Sequence, residues 1–173
     1  MRNLLVILIL IALLYAGYLF LLPKGFSYDS PAYGISFAYP FTYNLSEGEK
    51  GNGERDHYAI VLTRKGDTVR PANGEGPTAI TIDVYQNNID DLTLQEWLEQ
   101  SSFSNYKFSD HVVTNTSIGT EEAVSYRWSG LYEGRTTAFR HKGNIIAVSV
   151  TFQSPLDSHL TAYVNLLKSI TLK

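Results

Sequence analysis

The sequence predicts an α+β domain, an antiparallel β-sheet flanked by helices, preceded by one N-terminal transmembrane helix. An unbroken uncharged run opens the chain, most later segments alternate apolar and polar residues, and only two segments show helical spacing. Strands joined by short turns pair antiparallel, whereas parallel strands need a long crossover between them. We therefore expect an anchor over residues 1–24, a short tether over 25–32 and a globular domain over 33–173.

The uncharged run covers residues 4–22 and is followed by Pro23 and Lys24. At 1.5 Å per residue, a helix of this length spans roughly 28 Å, close to the hydrocarbon thickness of a bilayer. Such a helix is apolar on every side, and the rest of the chain is too small to surround it in water. The residues that we expect to lie in lipid include Leu4, Val6, Ile9, Leu14, Leu19 and Leu22.

The same segment bears on cleavage and orientation. A signal peptide has a shorter apolar stretch and small residues at its cleavage site. Ala16 fits one small-residue position, but Leu14 occupies the other, and the apolar run continues past both residues. The sequence therefore favours an uncleaved anchor and leaves cleavage as the alternative. Arg2 and the terminal amine make the first flank slightly more positive, so the positive-inside rule places the N terminus in the cytoplasm and the domain outside it.

Two-residue alternation predicts the strands. Glycine, asparagine and charged residues over 46–57 predict a loop, and the glycines and prolines of 66–77 predict a long connection. The predicted strands lie at about 35–39, 58–63, 80–85, 112–118, 123–129, 135–141 and 146–152.

The first helical pattern places Leu94, Trp97 and Leu98 on one face, at i, i+3 and i+4. Thr93 and Glu96 have the spacing of a capping box, so a helix is expected over about 93–102.

The second helix is predicted to open at residues 154–157 (Ser-Pro-Leu-Asp), with Ser154 as its N-cap and Pro155 in its first turn. Its expected buried stripe consists of Leu156, Leu160, Tyr163 or Val164, and Leu167.

Three stretches resemble the PsbP-like family, named for an extrinsic protein of photosystem II. They are the opening strand at 33–40 (Tyr-Gly-Ile-Ser-Phe-Ala-Tyr-Pro), the paired-strand positions Gly119, Ala123, Tyr126 and Gly134, and the closing Leu-Lys-Ser-Ile at 167–170. The resemblance covers about residues 33–172 and implies an α/β/α sandwich in which an antiparallel sheet lies between helices.

The resemblance also carries functional expectations. Members of the family are often secreted or membrane-tethered, and photosynthetic members help retain calcium, chloride and manganese at the oxygen-evolving centre. No metal-binding motif of the family matches this sequence residue by residue. A transmembrane anchor also departs from the soluble lumenal members.

Composition excludes several classes of function. With 14 basic and 17 acidic residues, the chain has a net charge of −3, and no nucleic-acid partner is expected. It has no cysteine, which excludes disulfides, thiolate catalysis and Cys-ligated metal centres. No G-x-S-x-G or phosphate-binding-loop motif occurs, so we assign no catalytic residue and no cofactor.

Two aspartate–histidine neighbours are the weak candidates for metal binding: Asp56 with His57, and Asp110 with His111. A carboxylate can orient an imidazole for metal binding or base catalysis. Solvated loop residues explain the same pattern. If the two histidines and two aspartates do form a site, the alternative function is a small hydrolase, a metal-dependent enzyme or a metal carrier.

Aromatic residues offer a different kind of site. Most are expected to fill the core, but an exposed cluster could stack on sugars or a partner protein. The aromatic residues on or near predicted strands are Tyr85, Tyr126, Trp128, Tyr132 and Phe139. The leading hypothesis is a non-catalytic, membrane-tethered, extracytoplasmic domain that binds or assembles a membrane-associated complex through a protein partner.

Overall fold

Antiparallel strands dominate the computed structural model, which describes residues 25–51, 56–67 and 76–173. Within these ranges lie ten strands, two α-helices and one short 3-10 helix, which confirms the predicted α+β class. The strands are β1 (Gly25–Ser30), β2 (Ile35–Pro40), β3 (Tyr43–Glu49), β4 (His57–Arg64), β5 (Ile80–Gln86), β6 (Thr114–Ile118), β7 (Glu121–Ser129), β8 (Glu133–His141), β9 (Asn144–Phe152) and β10 (Thr171–Leu172). The helices are α1 (Leu94–Gln100), α2 (Ser158–Ser169) and the 3-10 helix (Tyr106–Phe108).

The strands form a seven-stranded sheet and a three-stranded sheet. The large sheet has the order β3-β4-β5-β9-β8-β7-β6, and the small one has the order β1-β2-β10. Two-residue turns join β6 to β7 and β8 to β9. Between β8 and β9, Lys142 (φ 49°) and Gly143 (φ 73°) both adopt the left-handed conformation that a type I′ hairpin turn requires.

One face of the large sheet, the α2 face, carries the larger core. Helix α2 contacts both β2 and β9, so the small sheet and this helix cover the same face. Alternate residues of the central strands point into this core because successive side chains of a strand lie on opposite faces. The core includes Ile82, Val148, Phe139, Tyr163 and Leu166.

The opposite face, the α1 face, carries a smaller and more aromatic core. Helix α1 and the 3-10 helix cover it through Trp97, Leu98 and Tyr106. Beneath them lie Tyr126 of β7 and Ile145 of β9. The two helices thus lie on opposite faces of the large sheet, in the sandwich arrangement that the family resemblance implied.

Residues 25–32, expected to form a tether, instead contain strand β1. It pairs along its full length with β2, in a register that includes Phe26 with Tyr39 and Tyr28 with Phe37. The Tyr28 and Phe37 rings stack with centroids 5.1 Å apart. The folded body therefore begins by Gly25, and the short polar sequence of an edge strand concealed the pairing.

The loop expected over 46–57 is also partly a strand. Residues through Glu49 belong to β3, which pairs with β4 from Tyr43 opposite Arg64 to Glu49 opposite Tyr58. Strand β3 lies at the edge of the large sheet and most of its side chains are exposed, so it lacks the apolar alternation of a half-buried strand.

Helix α2 begins later than predicted. Asp157, not Ser154, is its N-cap, and the Asp157 carboxylate accepts a hydrogen bond of 3.0 Å from the backbone amide of His159. Leu156 therefore precedes the helix and is 95% exposed instead of belonging to the buried stripe. His159, Ala162, Tyr163 and Leu166 are the buried residues of the helix.

The predicted capping box of α1 is confirmed. The Thr93 hydroxyl accepts from the Glu96 amide, and the Glu96 carboxylate accepts from the Thr93 amide at 2.8 Å. No helix within the described ranges has both the length and the apolar character needed to cross a bilayer. The expected anchor, including all six of its named residues, lies outside those ranges.

Candidate functional site

An open cleft of about 670 Å³ lies on the α1 face, between the start of β4, the end of β5 and helix α1. We call it the aromatic cleft. Trp97, Tyr85, Phe103 and His57 supply its rings, and amide and hydroxyl groups surround them. The polar and charged residues that line it are Lys50, Asp56, Gln86, Asn87, Asp90, Gln100, Ser101 and Ser102.

Tyr85 is the centre of the aromatic cleft. Its ring stacks on the His57 ring at 4.3 Å between centroids and on the Phe103 ring at 5.4 Å. Trp97 lies 5.5 Å away in a tilted arrangement. Burial, reinforced by the charge of Asp83, raises the pKa of Tyr85, so its hydroxyl stays protonated at neutral pH.

Sheet register explains why His57 and Tyr85 meet. The two residues are directly opposite each other in the β4–β5 pair, which places both side chains on the α1 face. Asp83 lies two residues before Tyr85 and therefore points to the same side. Its carboxylate oxygen is 2.8 Å from His57 Nε2, and the imidazole must be the donor because an ionised carboxylate can only accept.

One wall of the aromatic cleft is a turn held by Asn87. The Asn87 side chain donates to the Leu92 carbonyl at 2.9 Å and accepts from the Leu92 amide at 3.1 Å. It is almost fully buried, so these bonds satisfy an amide that water cannot reach. They fix the segment between β5 and α1, including Asp91, whose φ of 46° needs such support.

The opposite wall is the segment after α1, which carries Phe103. Buried Ser104 fixes this segment: its hydroxyl donates to the Leu98 carbonyl at 2.8 Å. The Tyr126 hydroxyl donates to the Ser104 carbonyl from beneath. Phe103 itself remains 59% exposed, so a well-anchored backbone presents a large apolar ring to solvent.

The four metal candidates are not brought together. Asp56 and His57 line the aromatic cleft. His111 is not among its lining residues; its ring packs against the edge of the Tyr106 ring at 4.9 Å. The Asp110 carboxylate accepts from the Val112 amide at 3.0 Å. Across the described ranges, no three His, Asp or Glu side chains are grouped as a metal ion would require.

The His57–Asp83 pair can orient an imidazole, and catalysis by a side-chain nucleophile would pair that imidazole with a hydroxyl group. Within the described part of the chain, Asp83 is the only hydrogen-bonding partner of the His57 ring. The arrangement is therefore suited to holding a ring rigidly in a stack.

The aromatic residues singled out in the sequence have different environments. Tyr126 and Phe139 are buried in separate cores, as expected of core residues. Tyr85, Trp128 and Tyr132 are half-buried. The sequence did not point to Phe103 or Asp83 as site residues, because their role depends on contacts with residues that are distant in sequence.

Neither the family models nor the curated protein sequences contain a match to this chain. Among solved structures, it is similar to the solution structure of cyanobacterial PsbP (CyanoP) from Synechocystis sp. PCC 6803, with a TM-score of 0.54 and 11% identity over 88% of this chain and 95% of that chain. It is also similar to a crystal structure from Bacteroides thetaiotaomicron VPI-5482, with a TM-score of 0.49 and 16% identity over 87% of this chain and 49% of that one. The first likeness shows that the described domain has a PsbP-like fold, as the sequence resemblance predicted.

Proposed function

We propose that this chain is a non-catalytic binding domain, held at the outer side of a membrane by its N-terminal segment, that takes part in assembling a membrane-associated complex. The uncharged run over residues 4–22 supports the tether, and the preceding Arg2 supports the orientation. The fold that the chain shares with cyanobacterial PsbP supports a role as an extrinsic partner of other proteins.

The observation that carries the binding role is the exposed stack in the aromatic cleft. The His57, Tyr85 and Phe103 rings contact one another in a triangle, with centroids 4.3 to 5.5 Å apart, and Phe103 is 59% exposed and so accessible to a partner. Aromatic rings with an apolar face and fixed geometry are common anchors in protein recognition because they lose little conformational entropy on binding.

The surroundings of the cleft favour a protein segment as its ligand. Ile89, in the same turn as Asn87 and Asp90, is an exposed apolar side chain, 69% accessible to solvent. Among the described residues that line the cleft, Asp56 and Asp90 are acidic and Lys50 is basic, and Asp83 lies behind His57. A partner segment that presents a basic or aromatic side chain would match both the rings and this charge.

Site-specific photo-cross-linking tests the proposal in the membrane of the producing cell. A photoreactive phenylalanine analogue replaces Phe103 in one variant and Phe108 in another. Both rings are exposed, but Phe108 does not line the aromatic cleft. We expect the Phe103 position to cross-link to a defined protein and the Phe108 position not to do so.

A second substitution ties that cross-link to the cleft. Tyr85→Ala removes the ring beneath Phe103, and we expect it to abolish the cross-link while the protein remains in the membrane fraction. Equal cross-linking from positions 103 and 108, or a cross-link that survives Tyr85→Ala, would reject the aromatic cleft as the binding site.

The tether is tested separately by the intact mass of protein extracted from membranes. A mass that includes residues 1–24, together with digestion of the body by protease added outside intact cells, is the expected result. A soluble product that lacks the N-terminal segment would contradict the tether and leave the cleft experiment interpretable.

A further inference from the structure

A second concave surface lies on the α2 face, opposite the aromatic cleft. Strands β6, β7 and β8 extend the large sheet beyond the region where α2 packs on β9, and the uncovered part forms a groove of about 570 Å³. We call it the outer groove. The sheet forms its floor, and α2 forms one wall through Val164, Leu167 and Lys168.

Two arginines lie side by side in the outer groove. Arg127 of β7 and Arg135 of β8 are directly opposite each other in the strand register, so both side chains leave the same face of the sheet. Like charges in this position repel each other and destabilise a sheet. Within the described ranges, no carboxylate forms an ion pair with either guanidinium.

Lys168 adds a third cationic side chain from the wall. Asp110 is the one acidic residue among the described residues that line the outer groove, and its carboxylate accepts a hydrogen bond from the Val112 amide. The groove therefore has an excess of positive charge in a protein whose overall charge is −3. Uncharged residues at positions 127 and 135 would pair the same strands with less repulsion.

The floor of the groove supplies hydroxyl groups. Thr137 and Tyr163 are buried, and their hydroxyls are hydrogen-bonded to each other at 2.7 Å. The Thr137 hydroxyl also donates to Ser125 at 3.2 Å. Burial raises the pKa of Tyr163 to about 12, although the nearby Arg135 charge opposes the shift, so this phenol remains a proton donor at neutral pH.

We propose that the outer groove binds a small phosphate-bearing ligand, with the phosphate held between Arg127 and Arg135 and an apolar portion resting on Val164 and Leu167. Guanidinium groups present paired N–H donors that match phosphate oxygens, and two of them can engage different oxygens of one tetrahedral group. A bound dianion would remove the repulsion between the two arginines. Lys168 and the Ser125 hydroxyl lie within the same groove to complete the polar contacts.

The test uses the full-length chain in phosphatidylcholine nanodiscs, titrated with phenyl phosphate in a calorimeter. Phenyl phosphate combines the dianion with an apolar ring. We expect saturable binding that Arg127→Gln and Arg135→Gln each weaken by at least about tenfold, because each substitution removes charge-assisted hydrogen bonds. Benzoate, with the same ring and a planar carboxylate, should bind more weakly than phenyl phosphate.

Arg140→Gln is the matched control. Arg140 also belongs to β8, but it lies an odd number of residues from Arg135 and therefore on the other face, where it pairs with Asp91. The same charge is lost, so a general electrostatic effect would weaken binding equally. Equal weakening by Arg140→Gln, unchanged affinity in the Arg127 and Arg135 variants, tighter binding of benzoate, or no saturation in the parent protein would each overturn the proposal.

Folding of the variants is checked in the same samples without ligand. Removing one of two opposed arginines should leave the unfolding temperature unchanged or slightly higher, since it relieves like-charge repulsion. A loss of binding at unchanged stability separates a ligand site from a structural role.

A further arm identifies the source of the phosphate. Nanodiscs containing phosphatidate are compared with nanodiscs that carry the same charge as oleate. If phenyl phosphate binds more weakly in the phosphatidate nanodiscs but not in the oleate nanodiscs, the outer groove binds a lipid headgroup. Equal affinity in both assigns it to a soluble phosphorylated molecule, and both results are consistent with phosphate recognition at the arginine pair.

Discussion

The two faces of the large sheet use aromatic residues in opposite ways. On the α2 face, Phe139 and Tyr163 are buried in the larger core, and the Tyr163 hydroxyl is hydrogen-bonded to Thr137. On the α1 face, Tyr85 and Phe103 stack around an open cleft and remain partly exposed. The difference indicates that the α2 face supplies most of the stability near the sheet centre, while the α1 face keeps rigid rings available for recognition.

The largest expected contrast comes from the same substitution on each face. Phe139→Ala removes a fully buried ring, and we expect it to reduce the free energy of unfolding by about 3–5 kcal/mol. Phe103→Ala should change it by less than about 1 kcal/mol, because the ring is largely exposed. Denaturant unfolding of both variants under the same conditions measures the difference.

Partner binding should show the reverse order of effects. In a pull-down from detergent-solubilised membranes, Phe103→Ala is expected to abolish capture of the protein that the position-103 cross-link identifies, although the domain stays folded. If Phe103→Ala destabilised the domain as much as Phe139→Ala, the exposed stack would be part of the core, and the proposed division between the two faces would be wrong.

The second largest effect concerns a close approach on the α1 face. Gly134 of β8 is directly opposite Trp128 of β7, and a methyl group at position 134 would overlap the Trp128 indole. The indole is held there by a hydrogen bond of 3.0 Å from its N–H to the Thr136 hydroxyl. We expect Gly134→Ala to cost about 1–3 kcal/mol, as overpacking of a fixed neighbour does.

Gly48→Ala provides the control for that substitution. Gly48 also lies in a strand, but a methyl group there would meet open space. Its thermal unfolding should be unchanged or slightly stabilised, because alanine restricts the unfolded chain. An equal loss of stability in both variants would attribute the effect to strand glycines in general and not to Trp128.

Local signals were sufficient to predict the structural elements whose contacts join residues that are close together in the sequence. Thr93 and Glu96 are three residues apart, so their capping box could be predicted without knowing the rest of the fold. Strand β1 was missed because an edge strand with mixed polarity acquires its identity only by pairing with β2.

The candidate site depended on distant contacts and was therefore harder to predict. His57 was noted for its neighbour Asp56, yet its hydrogen bond goes to Asp83, 26 residues away. A predicted pairing of the second and third strands in the correct register would have revealed that contact. Phe103 follows a helix in a polar segment, and no periodicity marks it as a cleft residue.

The third prediction concerns the pH dependence of the α2 face. His159 is fully buried, and its Nδ1 lies 3.1 Å from the Tyr43 hydroxyl. Its Nε2 lies 3.8 Å from an Asp67 carboxylate oxygen, too far for a hydrogen bond, and has no hydrogen-bonding partner in the described part of the chain. Burial lowers the pKa of His159, although the charges of Asp157 and Asp67 oppose the shift. The folded state therefore prefers the neutral imidazole.

The sign of the effect follows from this lowered pKa. The unfolded chain takes up a proton as the pH falls below about 6.5, before the folded state does, so the stability present at higher pH is lost on acidification. The slope attributable to one histidine is at most about 1.4 kcal/mol per pH unit. Unfolding curves between pH 7.5 and 5 should show it in the parent protein and in His111→Gln, which changes an exposed histidine, but not in His159→Gln. A slope that persists in His159→Gln would assign the pH dependence to other groups.

The smallest expected effect tests whether the α1 face can be loosened without disturbing the α2 face. Thr93→Ala removes the N-cap of α1 and should cost about 1 kcal/mol, since the amide of Glu96 loses its partner. Helix α1 carries Trp97 and leads directly into the Phe103 segment, so hydrogen exchange should accelerate there first. Thr161→Ala, an exposed threonine within α2 that is not a cap, should leave both stability and exchange unchanged.

Because α1 contributes few of the contacts of the large sheet, exchange in β9 should follow only the small change in global stability. Faster exchange of β9 beyond that change would mean that the two faces unfold as a single cooperative unit, and the rigid platform of the aromatic cleft would then depend on the core of the opposite face.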